Sequence, residues 1–462
     1  MKQRLFLPGS LTLVSWLVLL LASWPNSTYT PQGIFPPLIL ALVFVTTFFL
    51  YMKTISADAK AARNHEVIVW TMVLTLTLVI LFPFACQDVY YYIATGHLAE
   101  RYQANPYLTT AHQIKDWRLD PFLSATNWGF LTSVYGPLWT KVSQWLVALT
   151  NQQFWCAVYI FKLFAGIIHL VNTLIIGLTA RRLGCNPTQA MFIYGWNPLL
   201  LFELPGHAHN DALLITFIIL SVYALTVLRG LFCLPFLTLA VLVKYTPVLL
   251  VPFFFGWLIK KRWLTSLLLG GLLALALVVL WWLPYWEGIT TLQGVLRQQN
   301  FYSIKSLHYI LYLTAQDLWP TADKALIFKI LSAALSFLFV MFYLWLLAGF
   351  WRRQSSQPWQ ALLSSAVLVF VLYLLLANKW FQPWYLSWLL ALAPLLPWPN
   401  PLLSVTLFLS LTAELSRLPQ MLLGHSQVVM HILTFLVAWC PLLLYFVLQK
   451  SDFPGRSDDN RQ

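Results

Sequence analysis

Charge is scarce in this sequence. Only 9% of its 462 residues are Asp, Glu, Lys or Arg, whereas a soluble domain carries about 25%. So few charges cannot cover a water-facing globule, and a soluble fold is excluded. Acidic residues are the scarcer sign, 15 against 28 basic ones, for a formal net charge of +13. An excess of that sign often marks nucleic-acid binding. Here no basic stripe or nucleic-acid motif accompanies it, so no nucleic-acid partner is expected. The basic residues sit instead in short clusters between apolar runs, the pattern that orients membrane proteins. Cysteine is sparse as well. Cys86, Cys156, Cys185, Cys233 and Cys440 are odd in number and scattered, which argues against a disulfide framework and against a zinc site. No Gly-rich βαβ stretch suited to a nucleotide is visible either.

What the sequence has is apolar length, with 60% hydrophobic residues. A bilayer-crossing helix needs about 20 mostly apolar residues. Spans are expected over roughly 6–24, 35–52, 67–85, 154–178, 188–204, 211–228, 231–243, 247–259, 264–284, 326–350, 359–377, 382–397, 401–418 and 428–448. The fold class is therefore an all-α polytopic membrane protein, a bundle of about 14 transmembrane helices. The first run follows Lys2 and Arg4 as a signal peptide would, but it continues through Trp24-Pro25-Asn26 without a small-residue cleavage site. An uncleaved first span is the better reading.

Charge asymmetry sets the direction of the spans. Lys2/Arg4, Lys53/Lys60/Arg63, Arg181/Arg182, Arg229, Lys260/Lys261/Arg262, Arg352/Arg353 and Lys450 fall on one, cytoplasmic, side only if 231–259 is a hairpin of two short helices. Its break belongs at Lys244-Tyr245-Thr246-Pro247, because proline lacks the amide donor and disfavours helix in the residue before it. The outer side then collects Asp88, the loop 86–153, residues 206–211, Lys244, the loop 285–325, Lys379 and Arg417. Large polar loops are where chemistry is expected. Residues 135–149 carry apolar positions at helical spacing and read as an interfacial amphipathic helix. The chain divides into two N-terminal helices and a cytoplasmic loop (1–66), a catalytic module (67–285), an outer loop with the C-terminal helices (286–450), and a polar, disordered tail (451–462).

Several residues can carry chemistry. Asp88, in Cys86-Gln87-Asp88-Val89-Tyr90-Tyr91-Tyr92, lies where a span gives way to water. The plain reading is a solvated helix end; the functional one is a general base. Tyr91 and Tyr135, with Tyr90, Trp128 and Trp139, offer aromatic faces to a substrate. The turn Leu204-Pro205-Gly206-His207-Ala208-His209-Asn210-Asp211 follows Glu203. Helix capping accounts for Asn210 or Asp211 but not for two histidines and a glutamate. A metal on His207, His209 and Asp211 is possible, yet that spacing is not diagnostic. We assign Glu203, His209, Asn210 and Asp211 to substrate binding, with no metal assigned and no cofactor required. Lys244, Lys379, Arg417, Arg297 and Lys305 are cations on the side where cations are disfavoured. Snorkelling and, around Asn378-Lys379-Trp380, an aromatic belt are the ordinary explanations. Together they suit a lipid phosphate.

In order along the chain, Asp88-Val89-Tyr90-Tyr91-Tyr92, Gly96, Asn105-Pro106-Tyr107, Tyr135-Gly136-Pro137-Leu138-Trp139, Asn197-Pro198-Leu199 before Glu203 and His209-Asn210-Asp211, and Lys244-Tyr245-Thr246-Pro247 resemble the GT-C glycosyltransferases. Within these, they are most similar to bacterial polyprenol-phosphate-mannose-dependent mannosyltransferases of the mycobacterial alpha-1,6 type. The Lys-x-x-Pro element is also similar to one in eukaryotic GPI-anchor mannosyltransferases. The resemblance covers roughly residues 67–400. It implies a catalytic aspartate in the first large outer loop, which falls on Asp88. Here that aspartate follows the third expected span rather than the first, so the first two spans read as an N-terminal addition. Many relatives carry adjacent acidic residues at this point; Gln87-Asp88 leaves Asp120, Glu203 or Asp211 as the second carboxylate.

The implied reaction is an inverting transfer of a hexose, mannose by resemblance. It would run from a polyprenyl-phosphate donor to a glycolipid or glycan acceptor, on the outer face of a bacterial plasma membrane among membrane lipids. The competing class is a transporter or lipid flippase without catalysis. Broken helices and intramembrane charges also mark transporter sites, but here the charges gather at one face and no internal repeat relates two halves.

Overall fold

In hydrocarbon the backbone must satisfy its own hydrogen bonds, and apolar runs of this length do so as helices. A computed structural model describes residues 4–23, 35–56, 58–298, 301–321, 323–352, 356–423 and 428–451, and every regular element among them is helical. Among the described residues, seven helices are long and apolar enough to cross a membrane: Phe6–Ser23, Pro37–Ile55, Phe154–Arg182, Leu264–Trp282, Lys324–Arg352, Pro358–Ala377 and Pro401–Leu423. The pair Pro198–Gly206 and Asp211–Thr226, bent by 120°, makes an eighth if it is counted as one span. Asn64–Ile80, Cys233–Val243, Thr246–Lys260 and Val428–Leu444 are shorter apolar helices. The protein is thus an all-α polytopic membrane protein. Residues 452–462, expected to be disordered, lie outside the described residues.

Two expected spans take another form. The stretch 382–397 is not one helix but three short pieces, Pro383–Leu386, Ser387–Leu390 and Ala393–Leu395. Pro383, Pro394 and Pro397 remove amide donors and break the ladder. The stretch 188–204 is divided into Pro187–Gly195, Pro198–Leu201 and a π-turn, Phe202–Gly206, that carries Pro205. Asn197 closes the gap, accepting from the amides of Leu199 and Leu200 and donating to Ser410. Both broken stretches are central. Residues 188–216 and 383–396 are buried throughout, whereas only 11% of Leu264–Trp282 is. Irregular backbone is therefore kept away from lipid.

The first two helices pack against the buried broken stretch 188–206. Trp16 stacks on Phe202 of the π-turn, centroids 6.2 Å apart, and the Tyr51 hydroxyl donates to the Ile193 carbonyl at 2.6 Å.

The loop 86–153 is itself folded. Asp88–Arg101 and Pro137–Ala148 pack as a helix pair; the second is the amphipathic helix expected over 135–149 and has Pro137 in its first turn. Gly96 permits their approach, since a Cβ there would lie 2.5 Å from the Ser143 carbonyl oxygen. Asn105 accepts from the Tyr107 amide and donates to the Tyr285 carbonyl and Glu287 carboxylate, tying this loop to the next outer one. The Tyr107 hydroxyl donates to the carbonyl of Tyr135 at 2.9 Å. Asp120 is engaged by His97 at 2.9 Å, Tyr102 at 2.8 Å and the Phe122 amide. Although burial opposes it, hydrogen bonds from His97 and Tyr102 lower the Asp120 pKa to about 2.

Gly136 joins the loop to the hairpin. Its amide donates to Val243 at 3.0 Å, and a Cβ would stand 2.0 Å from the Leu242 carbonyl oxygen. Neither backbone can give way cheaply. Gly136→Ala should destabilise the protein by about 1–3 kcal/mol, the cost of overpacking. Thermal unfolding in lipid nanodiscs checks this, and an unchanged melting temperature would refute the close approach.

Candidate active site

The break Lys244-Tyr245-Thr246-Pro247 forms as expected. Cys233–Val243 ends, Lys244 is extended, and a 3-10 turn from Thr246 leads into Val251–Lys260. At the same level lie the start of Asp88–Arg101, the 120° bend at residues 207–210 and the short pieces after Pro383. Three broken elements and one helix start thus converge, and their side chains meet.

Asp88 opens its helix with a side chain 17% exposed. The hydroxyls of Tyr92 and Tyr135 donate to its Oδ2 at 3.4 and 3.2 Å, and His209 Nδ1 stands 3.7 Å from the same oxygen. Burial first, and the charge of Asp88 second, push both phenols well above the usual tyrosine range, so they stay protonated donors. The other oxygen, Oδ1, has no hydrogen-bond partner among the described residues. Tyr91 turns its hydroxyl to the Thr132 carbonyl, and its ring lines a cavity of about 40 Å³ with Asp88, Trp128 and Tyr135.

Behind Asp88 the acids are neutralised. Asp211, fully buried, takes both its oxygens to Lys244 Nζ at 3.0 Å and accepts from the Trp388 indole at 2.5 Å. Lys244 also stands 4.7 Å from the Tyr385 ring centroid. Arg417 donates to Glu203, to Glu414 at 2.9 Å and to the Ala85 carbonyl at 2.9 Å. Of the four carboxylates here, Asp88 alone has no lysine or arginine within salt-bridge distance among the described residues. Its partners are phenols and an imidazole, which hold a carboxylate without occupying its charge.

His209 is completely buried and stacked on Trp384, centroids 4.2 Å apart. Its Nε2 lies 3.0 Å from Glu203 Oε2, but the ring is not aligned to donate there, and both ring nitrogens lack a hydrogen-bond partner among the described residues. Asn210 accepts from Tyr92 through Oδ1, leaving its Nδ2 unpartnered too. It does not cap the helix that follows. Buried polar groups normally have partners, so a patch of orphans beside Asp88 is suited to a polar ligand. For a metal, His207 is already committed, Nε2 accepting from the Ala85 amide and Nδ1 facing the Phe202 carbonyl. The trio that comes within ligating reach is instead Cys86, Asp88 and His209.

The Asp88 cavity shares Tyr135, Gln298, Phe301, Trp380 and Tyr385 with a second cavity of about 350 Å³. Lys244 and Lys379 line that second one, and Lys379 also lines a third, of about 520 Å³, with Lys329. Of the residues expected at the site, Asp88, Tyr91, Tyr135, Glu203, His209, Asn210, Asp211, Lys244 and Arg417 come together. Lys379 stands at the adjoining cavity. Lys305 is buried and faces Arg417, Glu414 and Glu203 electrostatically. Arg297 is exposed and lines none of these cavities. Tyr92 was missed, although its i,i+4 spacing from Asp88 places it on the same helix face. Just beyond the belt expected around Lys379, Trp384, Tyr385 and Trp388 are 6%, 7% and 1% exposed and form a site wall. Lys162, fully buried in its span, donates to the Leu81 carbonyl and pins the turn that leads to Asp88.

Fold and site define a class: a polytopic helical membrane protein with a carboxylate centre held at broken helices beside cation-lined cavities. The family is defined by comparison. A family model described as alpha-(1->6)-mannopyranosyltransferase, N-terminal domain, matches residues 7–261, and the chain belongs to that family. The match takes in the first two helices. The chain is 25% identical over 226 residues to alpha-(1->6)-mannopyranosyltransferase A of Corynebacterium glutamicum, covering 46% of this chain and 45% of the relative. It is 29% identical over 167 residues to a probable alpha-(1->6)-mannopyranosyltransferase of Mycolicibacterium smegmatis, covering 34% and 27%. The matched regions thus span less than half the length of these curated relatives. No solved structure matches the chain.

Burial first, and Arg417 second, push the Lys305 pKa down to about 7. The unfolded chain holds that proton to above pH 10, so between about pH 7 and 10 it binds more protons than the folded one. Stability therefore rises with pH across that window. Lys305→Met should flatten the rise in melting temperature measured from pH 7 to 9.5. Equal slopes in variant and wild type would refute the assignment.

Proposed function

We propose that this protein is a membrane glycosyltransferase that moves a hexose, mannose by family membership, from a polyprenyl-phosphate donor to a glycolipid or glycan acceptor. Its place is a bacterial plasma membrane with the site on the outer face, the side that charge asymmetry assigns to the large loops. The observation that carries the reading is Asp88: a carboxylate with no lysine or arginine within salt-bridge distance among the described residues, held through one oxygen by two phenols, in a small cavity that adjoins the one lined by Lys244 and Lys379.

The transfer is an inverting displacement. An acceptor hydroxyl gives its proton to Asp88 Oδ1 as its oxygen attacks the anomeric carbon, and the carbon–oxygen bond to the donor phosphate breaks on the opposite face. The phosphate keeps the electron pair and leaves as an anion, so it needs positive charge rather than a general acid. Lys379, with Lys244 behind it, supplies that charge. Tyr92 and Tyr135 hold Asp88 in place, and His209 and Asn210 offer their unpartnered nitrogens to sugar hydroxyls. The 40 Å³ next to Asp88 has room for little more than water, so the Phe301 and Trp380 rings give way when a sugar enters. No metal is assigned a step.

The 120° bend at residues 207–210 also suits a transporter site, and one assay separates the two readings. Purified protein in liposomes is given radiolabelled polyprenyl-phosphate mannose and a membrane glycolipid extract. Wild type should transfer label to glycolipid. Asp88→Asn should lose about 10²–10⁴-fold in kcat, the range for a general base, with little change in KM for the donor, and EDTA should leave the rate unchanged. Full activity in Asp88→Asn would remove Asp88 from the mechanism, and label crossing the bilayer without transfer would favour the transporter.

A further inference from the structure

We propose a second, separate lipid site: a cavity at the far end of the bundle that takes the phosphate headgroup of an anionic glycerophospholipid. It does not depend on the glycosyltransferase reading.

Two continuous segments, 246–261 and 358–377, border the 350 Å³ cavity at one end and this one at the other. Leu249 and Tyr373 line the first cavity. The chain then runs through Thr246–Leu250 and Val251–Lys260, about 25 Å at helical rises, to reach the second. There Trp257, Lys260, Lys261, Phe350, Trp351 and Arg352 are among the walls of a cavity of about 940 Å³. The end of Lys324–Arg352 and the start of Pro358–Leu372 complete it.

The walls are built rather than incidental. Lys260 donates to the Phe350 carbonyl and stands 4.9 Å from that ring's centroid, so its charge is fixed at the mouth. Lys261 stands 5.3 Å from the Trp257 centroid. The Trp351 ring is seated against Gly256, where a Cβ would lie 2.7 Å from it. Trp257 is 2% exposed, and its indole Nε1 has no hydrogen-bond partner among the described residues. A buried indole donor without an acceptor, in a cavity ringed by three cations, calls for an anion with oxygen acceptors.

Nothing acidic lines the cavity among the described residues, and apart from Ser364 and Ser365 the rest of the wall is aromatic and aliphatic. That pairing of a cationic mouth with an apolar body fits a headgroup attached to acyl chains better than a free anion. These cations belong to the set that charge asymmetry places on the cytoplasmic side, the leaflet whose anionic lipids attract basic pockets between helices.

The test uses the full chain in nanodiscs and reads retained lipid by native mass spectrometry. Phosphatidylglycerol, phosphatidylcholine and phosphatidylglycerol with 1 mM inorganic phosphate form the three arms. Wild type should retain phosphatidylglycerol and not phosphatidylcholine, and inorganic phosphate should not displace it. Lys261→Gln/Arg352→Gln should bind it about 30-fold more weakly, roughly fivefold for each cation removed. Lys261→Arg/Arg352→Lys should restore it, which separates lost charge from lost fold. Retention of both lipids alike, unchanged binding in the Gln double variant, or displacement by inorganic phosphate would each overturn the proposal.

Discussion

The constraint on which this structure depends is that a carboxylate taken into a bundle with so little water must be matched there. An unpaired buried charge costs several kcal/mol, and removing one partner of a buried pair typically costs about 3–5 kcal/mol. Asp211 is matched by Lys244, and Glu203 with Glu414 by Arg417. Asp211–Lys244 and Glu203–Arg417 join separate elements, whereas Glu414 and Arg417 are three residues apart. Asp211–Lys244 holds the bend at residues 207–210 against the broken hairpin, and Arg417 holds the π-turn against the C-terminal helices and the Ala85 carbonyl. The backbone breaks and the ion pairs are therefore one device. The breaks bring the charges together, and the charges keep the breaks from being remodelled into straight helices.

Against that background Asp88 is the exception with a purpose. It is the least buried of the four carboxylates, and it is held by hydroxyl donors whose protons stay in place because burial raises their pKa values. A lysine or arginine at that position would pair with its charge; two phenols and an imidazole orient it without a full positive charge. The same reasoning recasts Arg417. Expected to hold a lipid phosphate, it is instead committed to two carboxylates and a carbonyl, whereas Lys244 and Lys379 both line the cavity next to the site.

The resemblance motifs divide along the same line. Asp88, Glu203, His209-Asn210-Asp211 and Lys244 form the centre. Gly96, Asn105-Pro106-Tyr107 and Gly136 do not enter it. They are the close approaches and clamps that fold the loop 86–153 around its packed helix pair. A motif set read as catalytic was thus partly architectural, and the physical difference is visible in the atoms each residue touches.

Hydropathy and charge alone determined the all-helical class, most helix positions, the broken hairpin at Lys244 and the place of Asp88 just beyond an apolar helix. Each of these follows from local rules: apolar length for hydrocarbon, proline for breaks, and a rare acid at a span end. Which aromatics would be wall and which belt, that Tyr92 rather than Tyr91 would hold the aspartate, that Lys162 would pin the Leu81 turn, and that 383–396 would be buried rather than spanning were decided by tertiary structure. In a chain this apolar every face can face lipid, so periodicity no longer marks the inside. Only the packing of one helix against another says which polar atom meets which.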